Sequence, residues 1–416
     1  MTGVVASPEM EKKPVRLMFS EIPPKAKWLV YLTAFSAIGF GYFFIAVSAY
    51  APELGIDASA IGLILASSGA ASVFTAIPMG IYADRHGRKL LFILGLFSIP
   101  PMLLIYAFTT DVVFLVMAGI GAGVGEGAFM SCWNALIADM NPPKTRTAAF
   151  ALSFIVNSAA SAFGFLLPFF FPYIEGYFQV DSHTVHSTFF IIVALVALIS
   201  PISLSVLLRG YKEVIVPGTK RIRGKNFGTI IRFSGCSSMI GLGAGFIIPL
   251  IPTWLLYRFN VQDDVSGPLL AVANVLMALA AIISTSLAVR YGTVRAIVLT
   301  QTLATAFMFS LAFATNAALA GVIYLIRAAL MNMASPISDS YLMSIITPEE
   351  RGFASSINAI VWRLPNSFST VVGGALLGAA LTDSSFYYWP FFLAAGFYAA
   401  ATFAFYVLFR KVKPIS

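Results

Sequence analysis

The chain has 416 residues, of which 59% are hydrophobic and 11% charged, with a mean hydropathy of +0.87 and a formal charge of +8. That apolar share excludes an ordinary soluble domain. The basic residues lie scattered through every second connection instead of clustering on one module, which excludes a nucleic-acid-binding surface.

Apolar runs long enough to cross a hydrocarbon core, about 20 residues as a helix, recur twelve times. They cover residues 28–50, 58–82, 90–109, 112–140, 147–174 and 187–208, then 228–257, 266–289, 296–314, 318–346, 352–381 and 386–409. Each is long and continuous, unlike the short alternating strands of a barrel. The expected fold is an all-α membrane protein with 12 transmembrane helices in two pseudo-symmetric six-helix bundles. Its parts are a tail over 1–27, a first bundle over 28–209, a polar linker over 210–226, a second bundle over 227–409 and a tail over 410–416. Lys12, Lys13, Arg16, Lys25 and Lys27 mark the first tail, and Arg85, Arg88, Lys89, Lys144, Arg209, Arg290, Arg295 and Arg410 continue on the same side; the opposite loops hold Arg258 alone. Positive flanks stay cytoplasmic, so both termini are expected there, in an integral plasma-membrane protein. The first run shows no small-x-small cleavage site and reads as a retained helix. Cys132 and Cys236 both fall inside spans and read as small core residues.

The halves overlay with a shift of about 205 residues. "IGFGYFF" at 38–44 matches "LGAGFII" at 242–248, "ADRHG" at 83–87 matches "AVRYG" at 288–292, and "NPPKTR" at 141–146 matches "TPEER" at 347–351. Two parallel six-helix repeats are the arrangement that rocks about a central site.

Charges inside the bilayer cost about 3 kcal/mol or more each, so those retained mark function. Glu126, Arg327, Asp339 and Arg363 qualify. At a rise of ~1.5 Å per residue from the linker side, they lie ~20, ~28, ~10 and ~17 Å deep, which puts Glu126 and Arg363 at one level. Glu126 sits in "GIGAGVGEGAF" at 119–129, where Gly119, Gly123 and Gly127 share one face and admit a close neighbour. It reads as the proton-coupling group, or as half of a static pair. Arg327 stays charged and needs an anion, supplied by a substrate or by a bridge to Glu126. Asp339 and Arg363, on adjacent antiparallel helices, read first as an ion pair within the second bundle and then as substrate contacts. Trp133 and Asn134 are candidate cavity residues. Arg232 reads as snorkelling to the interface. His183 and His186 read as a surface loop between spans five and six, too few for a metal site.

The stretch "GIYADRHGRK" at 80–89 resembles the loop signature G-x-x-x-D-R-x-G-R-K of the major facilitator superfamily, between spans two and three as in that family. The resemblance implies that spans one, four, seven and ten line the cavity. It also implies that Asp84 caps the eleventh helix near residues 351–353. On that reading Gly80, Asp84, Arg85, Gly87 and Arg88, with Arg146 and Arg351 ending the repeated copies, form a gating latch between the halves. Val289 replaces Asp84 in the second copy, so the latch is expected to be one-sided. The chain departs from the family elsewhere. Gly119 stands where many proton-coupled members carry arginine, and "SAASAFGFLLPFFF" at 158–171 lacks the drug–proton antiporter pattern of span five.

The expected function is secondary active transport of a small organic, possibly anionic, solute by alternating access, with proton coupling. The alternatives are proton-driven efflux of amphipathic compounds and, from another class, a non-transporting sensor or scaffold. No nucleophile, metal or phosphate-loop constellation points to an enzyme. The expected partners are a small-molecule substrate and membrane lipids, with a monomeric chain, no nucleic acid, and no cofactor beyond a proton or other ion gradient.

Overall fold

The computed structural model describes residues 19–142, 144–211, 226–347 and 350–412, so most of the linker and parts of both tails lie outside the described residues. The spans run in up-and-down order. The first half holds α1 (Pro24–Ile45), α2 (Ala58–His86), α3 (Lys89–Phe97 continued by Ile99–Phe108), α4 (Val112–Asp139), α5 (Arg146–Leu166, extended by Phe171–Phe178) and α6 (Ser182–Leu207). The second holds α7 (Phe227–Gly245, extended by Ile251–Phe259), α8 (Asp263–Tyr291), α9 (Thr293–Leu311), α10 (Ala317–Ser344), α11 (Arg351–Ala379) and α12 (Trp389–Phe409). The face where α6 ends and α7 begins is the linker face; the other is the distal face.

Eleven candidate spans among the described residues are long and apolar enough to cross a membrane. The twelfth, α11, has the length, at 29 residues, but carries Asn358, Arg363, Asn366, Ser367, Ser369 and Thr370. Such groups are tolerated at membrane depth where they turn inward, and α11 packs between α2 and α7.

Side-chain caps start several helices at the distal face. Asp57, Asp111, Asp181 and Asn316 accept hydrogen bonds from the backbone N–H groups of Ser59, Val113, Thr184 and Leu319, and negative charge suits a helix start. The Thr184 hydroxyl and N–H together hold Asp181 below the usual carboxylate range. The Asp181 cap starts α6 at Ser182, five residues before the apolar run predicts. The two histidines therefore lie on a helix, not in a loop: His183 is exposed as expected, while His186 is buried. At the distal end of α1 the helix widens into a π turn, Ala46–Tyr50, and then tightens into a 3-10 turn, Ala51–Leu54.

The repeat extends to backbone detail. Gly87 and Gly292, 205 positions apart, both adopt positive φ (101° and 83°) at the ends of α2 and α8. Arg146 Nε donates to the Ala138 carbonyl, and Arg351 Nε donates to that of Met343, the position matching Ala138, each at 3.0 Å. Gly41 of α1 faces the backbone of Ser161 on α5, and Gly245 of α7 faces Asn366 on α11, so closely that a Cβ fits at neither.

Apolar packing shows how the halves meet. At the distal face one continuous core joins residues of both, from Tyr42 and Ile61 to Trp254 and Leu377. Toward the linker face it forks into one cluster around Phe92, Trp133 and Leu136 and another around Phe233, Tyr341 and Phe405. Helix contacts agree. Gly62 of α2 rests on Thr370 and Gly374 of α11, Gly69 meets Ser367, and Gly267 of α8 meets the Phe165 carbonyl of α5. Below mid-depth α2 exposes Ile77, Ile81 and Tyr82. The molecule is closed distally and open toward the linker face.

Gly41→Val and Gly245→Val are each expected to cost about 1–3 kcal/mol, as overpacking does, lowering the unfolding midpoint in detergent. Gly121→Val, with open space around its Cα, should leave it unchanged; equal losses at all three sites would contradict this packing.

Candidate functional site

Glu126 on α4 and Arg363 on α11 meet at mid-depth across the two halves, Arg363 Nη2 to Glu126 Oε1 at 2.5 Å. The shared level anticipated from helix rise is thus an ion pair, and the partner of Arg363 is Glu126 rather than Asp339. Likewise Arg327 does not bridge to Glu126. The Glu126 and Arg363 side chains are 17% and 33% exposed. Glu126 Oε2 is buried with no hydrogen-bond partner among the described residues.

Several glycines bring α4 to this place. Gly119, Gly123 and Gly127 lie against the backbone or small side chains of Ile64, Ser68 and Ser72 on α2, as their spacing of four requires, and Gly125 lies against Gly95 and Ser98 on α3. Backbone-to-backbone approach on two sides holds Glu126 where α11 passes.

Two lobes flank the pair. The first, about 400 Å³, is walled by the first half and includes Glu126, Asn134, Ser153 and Asn157 among Phe40, Phe129, Met130, Trp133, Phe150 and Phe154. Trp133 stacks on Phe92 and Phe129 with ring centroids 5.7 and 5.2 Å apart, and Asn134 is exposed to the lobe. The second lobe, about 440 Å³, belongs almost wholly to the second half and holds Arg327, Asn332, Asp339, Trp362, Asn366 and Tyr398, together with Met331, the repeat position of Glu126.

Arg327 is 4% exposed. Its Nη2 donates to the Tyr398 hydroxyl at 2.6 Å and its guanidinium lies 5.5 Å from the centre of that ring, while Nε has no hydrogen-bond partner among the described residues. Among the described residues no carboxylate pairs with it. A buried guanidinium held by a neutral phenol keeps an uncompensated charge. Asp339, just over three turns nearer the linker face, borders the same lobe and is exposed, with no partner among the described residues. Tyr398 escaped the sequence reading, because a single tyrosine in an aromatic-rich span carries no positional signal.

At the linker face the contacts of Arg88, Arg146 and Arg351 each stay within one half. Arg88 pairs with Asp139 at 2.9 Å, while Arg146 and Arg351 bond to the carbonyls already named. Arg85 is exposed, Gly80 is half-buried, and Gly87 supplies the turn at φ 101°. The Asp84 side chain lies outside the described residues. The antiparallel register that sets Gly62 opposite Gly374 and Gly69 opposite Ser367 places position 84 level with 352. Arg232 is exposed near the start of α7.

A sequence model described as the Major Facilitator Superfamily matches residues 29–368 and 233–416. Multidrug resistance protein 2 of Bacillus subtilis is 26% identical over 182 residues, 36% of this chain and 46% of that protein. The 4-hydroxybenzoate transporter PcaK of Pseudomonas aeruginosa is 27% identical over 119 residues, 29% of this chain and 26% of its own. The matched stretches thus span less than half of these curated relatives. Over the full fold, a bacterial homologue of the human lysosomal transporter Spinster, in an inward-facing and occupied conformation, superposes with a TM-score of 0.72 at 16% identity, covering 97% of this chain and 99% of that one.

Glu126→Gln and Arg363→Gln are expected to be non-additive, with a coupling energy of about 0.5–3 kcal/mol in a double-mutant cycle of detergent unfolding. Strict additivity would remove the pair from the fold's energetics.

Proposed function

The chain belongs to the major facilitator superfamily, and from that premise we propose that it is a proton-coupled secondary transporter of small organic anions. The observation that carries this reading is Arg327, a permanent cation buried beside a 440 Å³ lobe with a neutral phenol as its hydrogen-bond partner. A carboxylate entering the lobe supplies the missing charge, and a guanidinium fork is suited to hold it.

The mid-depth pair supplies the coupling. With Glu126 ionised, Arg363 is engaged and the halves are tied at mid-depth. A proton on the free Oε2 neutralises the carboxylate and releases Arg363, while the substrate anion beside Arg327 restores the negative charge that Glu126 has lost. Proton and anion enter the site together and the number of charges buried there is unchanged, which favours joint binding over binding of either alone. When the halves rock, the distal closure of Gly62 on Gly374 opens and the linker-face ends approach. The register then sets Asp84 against the start of α11, where free N–H groups and the helix dipole attract a carboxylate. That contact is the latch of the opposite conformation. The bias of basic residues supports a cytoplasmic linker face, with both termini on that side.

A second reading, efflux of amphipathic compounds, draws on the aromatic and methionine wall of the first lobe and on the likeness to the multidrug resistance protein of Bacillus. Accumulation in proteoliposomes separates the two. An imposed pH gradient should drive uptake of an aromatic monocarboxylate such as 4-hydroxybenzoate. Arg327→Gln should raise its KM by about 10- to 100-fold, in line with the ~1.5–3 kcal/mol of a charge-assisted hydrogen bond. Glu126→Gln should keep anion exchange and lose the proton-driven component. Transport of lipophilic cations but no acids would favour efflux, and an unchanged pH dependence in Glu126→Gln would remove that residue from coupling.

A further inference from the structure

His186 occupies the distal closure, on the opposite side of the core from the site described above. It is 1% exposed, and its Nε2 lies 3.2 Å from Oδ2 of Asp263, itself 6% exposed. His186 belongs to the first half and Asp263 begins α8 of the second, so the contact crosses between the halves. The approach lacks the alignment of a hydrogen bond and leaves Oδ2 without a partner of that kind. The attraction therefore depends on charge. Among the described residues no arginine or lysine pairs with Asp263, so a neutral imidazole leaves a carboxylate buried and uncompensated, while an imidazolium cancels it.

The rest of the cluster accommodates either state of the ring. The Tyr42 hydroxyl lies 3.2 Å from His186 Nδ1 and also 3.2 Å from the His186 carbonyl oxygen. When Nδ1 is bare, the hydroxyl donates to it. When Nδ1 carries a proton, the hydroxyl turns to the carbonyl and accepts from Nδ1–H. The imidazole can therefore gain a proton with no hydrogen bond lost. Tyr50 stacks on the ring at 3.5 Å and 7°, from within the π turn of α1, and Phe171 closes the edge. Ser48, in that same turn, accepts a hydrogen bond from Thr253 of the second half. π turns recur at functional sites, and this one joins the histidine cluster to the inter-half contact. The other ionisable groups around the cluster are Glu53 beyond the π turn, Glu175 from the end of α5, Asp181 and His183 on or beside α6, and Asp264 next to Asp263. All but His183 are acidic.

We propose that His186 is a second proton-binding site, built into the distal closure, whose protonated form holds the halves together there and whose neutral form lets them part. Histidine is the side chain that ordinarily changes charge between pH 5 and 8, and opening exposes this ring to the distal medium. A proton taken from that medium then favours closure toward the linker-open state. The inference rests on the two halves exchanging between open and closed arrangements; it depends neither on the identity of the solute nor on Glu126.

The test reads conformation without any solute. The full chain, with Cys132→Ala and Cys236→Ala, is spin-labelled at the exposed distal loop positions Thr110 and Thr315, reconstituted in lipid nanodiscs, and measured by pulsed electron–electron resonance. The closed-to-open ratio is expected to rise about tenfold between about pH 8 and about pH 5.5, in keeping with linkage to one proton. His186→Gln, which keeps a hydrogen-bonding group for Tyr42, should abolish the response. Asp263→Asn, which leaves the histidine in place, should abolish or reverse it. Glu126→Gln should retain it. A wild-type ratio insensitive to pH, or a wild-type response surviving in His186→Gln or Asp263→Asn, overturns the proposal. A response lost in Glu126→Gln and intact in His186→Gln assigns the switch to mid-depth and overturns it equally. Failure of anion uptake with this pH response intact counts against the proposed substrate and not against the distal site.

Discussion

The high cost of an isolated charge away from water organises this molecule. Three charged clusters lie between or beside the halves, and each meets that cost differently. Glu126 and Arg363 cancel each other across the midline. His186 and Asp263 can cancel when the imidazole is protonated. Arg327 has a phenol for company and no counter-ion among the described residues. On the reading proposed above, the first two ties depend on protonation and an anion completes the third. A transporter needs that combination, because a contact that cannot be undone cannot be part of a cycle.

The scaffold repeats but the charges do not. At the shift of 205 residues, Glu126 falls on Met331, Arg327 on Ala122, Arg363 on Ser158, His186 on Phe391 and Asp263 on Ala58. The glycine crossings, the positive-φ turns and the arginine-to-carbonyl bonds at the linker face occur in both copies. Mechanical features therefore belong to the repeat, while the chemistry belongs to single positions within it. This division accounts for closure at one face: two like bundles meet through small residues, and asymmetric charges bias which face is shut.

Much of this was legible in the residues alone. The lengths of the apolar runs and the 205-residue shift define the spans, the bundles and the glycine face of α4, since helix geometry converts spacing directly into position. The depth count also put Glu126 and Arg363 at one level. It did not make them partners, because depth says nothing of azimuth, and Asp339 on the neighbouring helix lay within one or two turns by the same count. His186 was misplaced because hydropathy begins a span at its first greasy residue. The helix in fact begins at its cap, Asp181, a polar signal present in "DSHTVH" and outweighed by the apolar criterion. Asp263 was lost in the same way at the start of α8. The Tyr398 contact to Arg327 spans 71 residues, and no local pattern announces it.

The central claim is that substrate binding and protonation of Glu126 are one event. Infrared difference spectroscopy on the reconstituted chain, before and after addition of an aromatic monocarboxylate, observes the carboxylic acid directly. The account predicts that a carbonyl stretch of a protonated carboxyl group appears on binding, shifts in heavy water and is missing in Glu126→Gln. Saturable binding with no such band, or with a band that survives in Glu126→Gln, would contradict it.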